Sequence, residues 1–395
     1  LSITFLCFFK KINIVQILFM VFHFPPISGG GVVVIVELAN KFAELGHDVT
    51  ILTPDLEWKG KKYEPQLNKK IIVEKIQTPS KSNLKIAARR CQNNMEKKGI
   101  ELGKQNNYDF ILSIFHPFHL VPKAAVTCGK ELQKPVLIKI DDAIYEKAKG
   151  IKKIQRRIEK MYNSKTLQNA DKVLVMNDFT KKLVNEYYSV SDNRISIVTN
   201  GTDLEKFYNI RENNRRVIFS GAMYHHRGVD VLLDCASKVI DEINDVEFLL
   251  LGDGPEMTKL QEFVSKNNLS KNIIFKGWVQ REEIPEFLAK SSIGIGPLRS
   301  TDVTKGALPI KVLEYMASSL PILAMKGTLP EDILNNSVNG YVIQNPKELA
   351  QKIIDILKND DLQNQMGKNS NEMVQKFDWK NVAESIISEY RSINS

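Results

Sequence analysis

The chain has 395 residues, of which 43% are hydrophobic and 26% charged, the balance of a soluble globular protein rather than a disordered one. That length exceeds one hydrophobic core and sets an expectation of two or three domains, while 21 Gly and 15 Pro exclude collagen-like or linker-rich designs. The formal net charge of +9 favours anionic partners (phosphates, nucleic acid or an acidic membrane surface) without choosing among them. From the N-terminus, residues 1–10 are apolar but too short to span a bilayer, and their positive charges follow the apolar run instead of preceding it, as a signal peptide would require. They read as an extension before the first strand, INIVQILFMVF (12–22). Further strands are predicted at 49–54, 70–76, 110–115, 135–140, 172–176 and 194–198, with helices between most of them. The first helix, VVVIVELANKFAEL, ends at Gly46 as its C-terminal cap. After the polar segment NIRENNRR (209–216) the pattern restarts, with strands at 216–221, 246–252, 272–277, 292–298, 321–325 and 341–343. Continuous apolar strands bridged by helices imply parallel sheets covered on both faces, hence two doubly wound α/β domains facing each other across a cleft.

Four cysteines, Cys7, Cys91, Cys128 and Cys235, show no metal-ligand or disulfide-framework spacing, so a reducing cytoplasm is the simplest setting. The loops after the strands carry the chemistry. FPPISGGG (24–31) opens a helix with three glycines, which suits an anion at a helix N-terminus as well as a plain tight turn. FSGAMYHHRGVDVLL (219–233) follows its strand with Gly221 and then Arg227-Gly228. In LLLGDGPE (249–256) the main expectation for Glu256 is capping of the next helix. Lys311 and Glu314, three apart in PIKVLEYMA, share one helical face. Lys311 suits phosphate and Glu314 a ribose diol, although a surface ion pair is the simpler reading of the two alone. His116 lies just past a strand end in FILSIFHPFHLVP, and Asp141-Asp142 end another, placed to bind acceptor hydroxyls or, for Asp142 first, to cap a helix.

Between Lys147 and Lys165 stand eight basic residues and one acid, Glu159, around an apolar stripe of Ile151, Ile154, Ile158 and Met161. Such a helix either rests on an anionic leaflet or turns its stripe to the core and its charges to water. The narrow stripe, lacking Trp or Phe, favours the core-facing arrangement.

Taken in order, these segments resemble the retaining GT-B glycosyltransferases of family 4. FPPISGG with LANKFAELGHDVTILTP, VTNGTDLEKF, SGAMYHHRGVDVLL, LLLGDGPE, IIFKGWVQREEIPEFLAKSSIGIGPL and KVLEYMASSLPILA follow the family's order over nearly the whole chain. The resemblance implies an α/β GT-B fold with an extension at 1–10, an acceptor-side Rossmann-like domain at 11–205, a nucleotide-sugar domain at 206–376, and a closing helix at 377–395 packed back on the first domain. It implies a retaining hexosyltransferase that takes a UDP- or GDP-sugar to a hydroxyl acceptor in glycan, glycolipid or polysaccharide synthesis. No metal is expected, nor a nucleic-acid partner; the setting is cytoplasmic, with peripheral contact to an anionic membrane as the second reading of the basic helix. Carried over by position, Glu314 holds the donor ribose, and Arg227 and Lys311 meet the diphosphate together with Gly30, Gly31 and Gly221. Gly277, Trp278 and Val279 border the base, and His116 lies near the donor sugar. Two positions depart from the pattern: Gly306 stands where the first Glu of the E-x7-E motif belongs, and Ala222 where an Arg partner belongs. The alternatives are a nucleotide-sugar epimerase and a non-catalytic nucleotide-sugar binder.

Overall fold

The computed structural model describes residues 14–56, 60, 62–78, 84–116, 120–141, 151–210, 215–301, 304–305 and 307–393. The N-terminal extension, Asp142, His119 and Gly306 lie outside them. Short apolar runs form the strands and amphipathic stretches the helices between them. The first half runs β1 (Gln16–Met20), α1 (Gly30–Glu44), β2 (Asp48–Asp55), β3 (Ile72–Gln77), α2 (Leu84–Gln105), β4 (Phe110–Ile114), α3 (Val121–Leu132), β5 (Val136–Ile140), α4 (Ile151–Gln168), β6 (Lys172–Val175), α5 (Asp178–Tyr188) and β7 (Ile195–Ile197). The second half runs β8 (Arg216–Ser220), α6 (Val229–Glu242), β9 (Glu247–Leu251), α7 (Met257–Lys266), β10 (Ile273–Gly277), α8 (Ile284–Ala289), β11 (Ile293–Ile295), α9 (Ile310–Ala317), β12 (Ile322–Met325), β13 (Gly340–Ile343), α10 (Pro346–Leu357), α11 (Asp360–Val374) and α12 (Trp379–Ile393).

Two sheets result. The first has the strand order β3-β2-β1-β4-β5-β6-β7 and the second β10-β9-β8-β11-β12-β13. Every ladder pairing within them is parallel. Each order reverses once, between β1 and β4 and between β8 and β11. Open α/β sheets bind ligands at such a reversal, beyond the carboxyl ends of the strands. The loops placed there are those after β1 and β4 in one sheet, and those after β8 and β11 in the other.

At the end of α1, Gly46 takes φ +88°, a left-handed conformation that lets β2 begin two residues later. The chain crosses from the first half to the second between β7 and β8 and crosses back in α12, which follows the second sheet in sequence but buries Trp379, Val382, Ala383, Ile386 and Ile387 among Phe19, Phe42 and Phe110 of the first. Trp379 is fully buried. Both crossings meet at one point. The Thr202 amide donates to the Phe377 carbonyl at 2.8 Å, and the Trp379 amide donates to the Thr202 carbonyl at 3.2 Å. A Cβ on Gly201 would stand 2.9 Å from the Phe377 oxygen, so the closeness of the two segments depends on that glycine.

The basic helix turns its faces opposite to the core-facing expectation. Ile154, Ile158 and Met161 of α4 are exposed, and the buried side chains are Glu159, Asn163, Thr166 and Leu167. A buried hydrogen-bond cluster accounts for this: Glu159 Oε1 accepts from Tyr188 Oη of α5 and from Asn163 Nδ2, both at 2.7 Å. The single acid of the segment is thus held inside, and the helix phase follows from it.

Candidate active site

The second sheet builds one wall. β8 ends at Ser220, and Gly221 continues with φ +135°. The Ser220 amide donates to Tyr315 Oη at 2.8 Å, which ties α9 to the end of β8. One turn earlier on α9, Lys311 reaches back so that a Cβ on Gly221 would sit 3.7 Å from its Nζ. The ammonium lies 3.6 Å from the Phe219 ring centroid, out of contact with solvent and with no hydrogen-bond partner. Burial, reinforced by the Arg227 charge and opposed by Glu314, drives its pKa well below that of an ordinary lysine. Arg227 closes a 3₁₀ turn (His225–Arg227), and its carbonyl accepts from the Leu298 amide at 3.2 Å, joining the loops after β8 and β11. The Lys311 amine and Arg227 therefore stand near enough for the charge of one to act on the other, around backbone amides at a strand end. That arrangement is suited to receive a diphosphate.

Beside it the glycines of LLLGDG serve close packing. A Cβ on Gly252 would lie 2.1 Å from the Gly221 oxygen, and one on Gly254 2.7 Å from the Met223 backbone. The Gly252 amide donates to the Gly277 carbonyl at 2.7 Å, placing Gly277, Trp278 and Val279 along the same edge. Val279 packs on the core of the second sheet. The capping expected of Glu256 is not made. It occupies the N-cap position of α7 without a side-chain cap bond, and its carboxylate faces His225 and Lys259 at 3.9 Å each.

Glu314 corrects the simple reading of the Lys311/Glu314 pair. The two do not bond to each other, and Glu314 is 2% exposed. Its Oε1 accepts from Arg281 Nη1 at 2.7 Å, and Arg281 Nε lies 3.3 Å from Glu37 Oε1 on α1. Lys206 Nζ approaches the other Glu37 oxygen at 3.6 Å. A carboxylate–guanidinium–carboxylate chain thus links the helix expected to hold the ribose to the helix that follows the glycine loop. The flanking carboxylates keep the buried Arg281 protonated, and Tyr63 borders the group, its hydroxyl pKa raised by burial. Sequence reasoning missed Glu37, Arg281, Lys206 and Tyr63. Glu37 left a trace, as the lone acid in the apolar run VVVIVELA.

The first sheet supplies the other wall. Gly29 has φ +147°, and the Val32 and Val33 amides both return to its carbonyl, leaving Gly30 and Gly31 as the leading amides of α1. Added Cβ atoms on Gly30 and Gly31 would meet nothing within 4 Å. His116 follows β4 and meets His23 edge to face, the ring centroids 6.1 Å apart. Burial, with His23 adding to it, pulls its pKa down to about 4, so its imidazole is neutral at physiological pH. Asp141 is ion-paired with the buried Lys139, whose Nζ also donates to Asn200 Oδ1 at 2.9 Å, while Asp141 Oδ2 has no hydrogen-bond partner. Lys311 and Gly221 are brought together directly, Arg227 lies close enough for its charge to act on Lys311, and Glu314 is linked to α1 through Arg281. Gly30, Gly31 and His116 belong to the wall built by the first sheet, and Lys311, Arg227 and Gly221 to the wall built by the second. Among the described residues no three His, Cys, Asp or Glu side chains gather as a metal-ligand set.

Residues 28–206 match the family described as Glycosyltransferase Family 4, and residues 201–373 match Glycosyl transferases group 1. The chain is 29% identical over 228 residues to an uncharacterised glycosyltransferase of Methanocaldococcus jannaschii, covering 57% of this chain and 61% of that protein. It is 23% identical over 388 residues to the N-acetyl-alpha-D-glucosaminyl L-malate synthase of Bacillus anthracis, covering 94% of each. Among solved structures, a sucrose-phosphate synthase from Thermosynechococcus elongatus aligns with a TM-score of 0.74 at 17% identity, over 96% of this chain and 99% of that one. The Anabaena protein HepE, solved with UDP, aligns with a TM-score of 0.73 at 14% identity, over 96% of this chain and all of that one.

Proposed function

Because the chain is a GT-B glycosyltransferase of the family 4 type, we propose that it transfers a hexosyl group from a UDP- or GDP-sugar to a hydroxyl acceptor, with retention of configuration and without a metal ion. The observation that carries this reading is the unpartnered Lys311 ammonium beside Arg227 at Gly221. The donor's bond between C1 and the phosphate oxygen breaks, and charge grows on the departing diphosphate. Fixed cations and amides at that place stabilise the charge without reorganisation. The acceptor oxygen attacks C1 from the same face, and the departing phosphate oxygen takes its proton, so no separate nucleophile or base is needed. Glu314, oriented by Arg281, accepts the ribose hydroxyls. Gly277, Trp278 and Val279 border the base, and Gly30 and Gly31 approach the diphosphate from the opposite wall. The neutral His116 is a hydrogen-bonding group for the sugar hydroxyls.

The names of relatives put UDP-N-acetylglucosamine first among donors to try, since two curated proteins similar to this chain are N-acetylglucosaminyl enzymes. The epimerase and binder readings are not favoured. The test incubates the protein with UDP- and GDP-sugars, with and without EDTA, and follows nucleotide release and the anomeric proton signal of the product. Release unaffected by EDTA, with an α-linked product from an α-linked donor, is expected. An inverted linkage, a C2-epimerised sugar, or activity that appears only with added magnesium or manganese would overturn it.

A further inference from the structure

We infer that the outer face of α4 is a docking surface for an anionic lipid membrane. Four large apolar side chains stand out on it: Ile154 is 61% exposed, Ile158 51%, Met161 63% and Tyr162 49%. Ile154, Ile158, Met161 and Lys165 follow at spacings of four, three and four, so they form one line along the helix. The helix is described over 18 residues; Lys165 stands in the line and Arg157 beside it, both exposed, while Lys160 reaches over the Tyr187 ring of α5, 4.7 Å from its centroid. Tyr162 adds an aromatic ring of the kind that sits at a bilayer interface, with Lys123 of α3 5.7 Å from its centroid. The opposite face is committed to the protein through Glu159, Asn163, Thr166 and Leu167. The outward phase is therefore fixed by the fold.

Charge selects the occupant. An apolar line alone would suit a protein partner or a second copy of this chain, but a line flanked by cations at this density is matched by apolar tails beneath anionic headgroups. The only acid within 151–168 is Glu159, which is turned inward, so no negative charge of this helix opposes the approach. Among the described residues no helix is long and apolar enough to cross a membrane, so the contact is peripheral.

The test is flotation of the full chain with phosphatidylcholine vesicles, with and without phosphatidylglycerol, and it needs no transfer activity, so its failure leaves the transferase reading intact. The protein should float with the anionic vesicles at low ionic strength, stay behind with neutral ones, and detach as salt is raised. Replacing Arg157 and Lys165 together by Gln should weaken partition by about thirtyfold, from about 1 kcal/mol per charge near the surface. Replacing Ile154, Ile158 and Met161 by Gln should also abolish flotation. Both sets are outward-facing, and an unchanged melting temperature checks that the fold is intact. Absence of flotation, equal binding to neutral vesicles, or binding untouched by both sets overturns the inference. So does a dimer in sedimentation that dissociates on the Ile154, Ile158 and Met161 substitutions without any vesicle binding.

Discussion

At the scale of single residues, Lys311 makes the sharpest statement. An ammonium without a partner, beside another cation, loses its proton more readily than in the unfolded chain. Its folded pKa lies below its unfolded one, so between the two the unfolded state binds more protons and stability rises with pH across that window. A diphosphate arriving at this place reverses the preference, because two negative charges favour the protonated amine. At a pH between the folded and unfolded values, UDP binding should therefore take up a proton. Calorimetry in buffers of different ionisation enthalpy reads this directly. Wild-type protein should show a positive uptake that disappears in Lys311→Met. Binding with no uptake in the wild type would place the diphosphate somewhere else. Arg227 is a different kind of group, protonated at any working pH, and supplies constant charge where Lys311 supplies a responsive one.

Between elements, the chain Glu37–Arg281–Glu314 couples α1 to α9 and so joins the two walls of the crevice. Removing the middle member leaves two buried carboxylates facing each other, a loss of about 3–5 kcal/mol. Arg281→Met should show that loss in urea unfolding, whereas adding Glu37→Gln to it should cost little more, because the repulsion between the two carboxylates is then gone. Strict additivity of the two substitutions would mean that the contact carries no coupling. This chain also marks where reading the sequence stops. The strands were legible because a buried parallel strand is a short apolar run, and runs such as FILSI and EFLLL lie between turn signals. Lys311, Glu314 and Arg227 were singled out because each lies in a segment that resembles one of the family's. Arg281 was not, since its partner Glu37 is 244 positions away and nothing local in GWVQREE distinguishes it from a surface arginine. The direction of α4 was hidden for the same reason. Its stripe was visible in the spacing, but which face goes inward depends on Tyr188, 29 residues from Glu159.

For the whole molecule, α12 makes the two halves share a core, because a segment that follows the second sheet completes the packing of the first. Trp379→Ala opens a large hole there and should cost about 3–5 kcal/mol. The loss should lower a single calorimetric transition that includes both sheets; two separate transitions in the wild type would show that the halves melt independently. The meeting of the two crossings at Thr202 has a mechanical consequence as well. Two segments clasped at one place hold the halves as a pivot would: sliding past each other would break both bonds, whereas rotation about them need not. Displacement then grows with the lever arm, least beside Thr202 and greatest at the far rim of the crevice. The machine is a jaw, and its bite is set by how far from the joint the load is held.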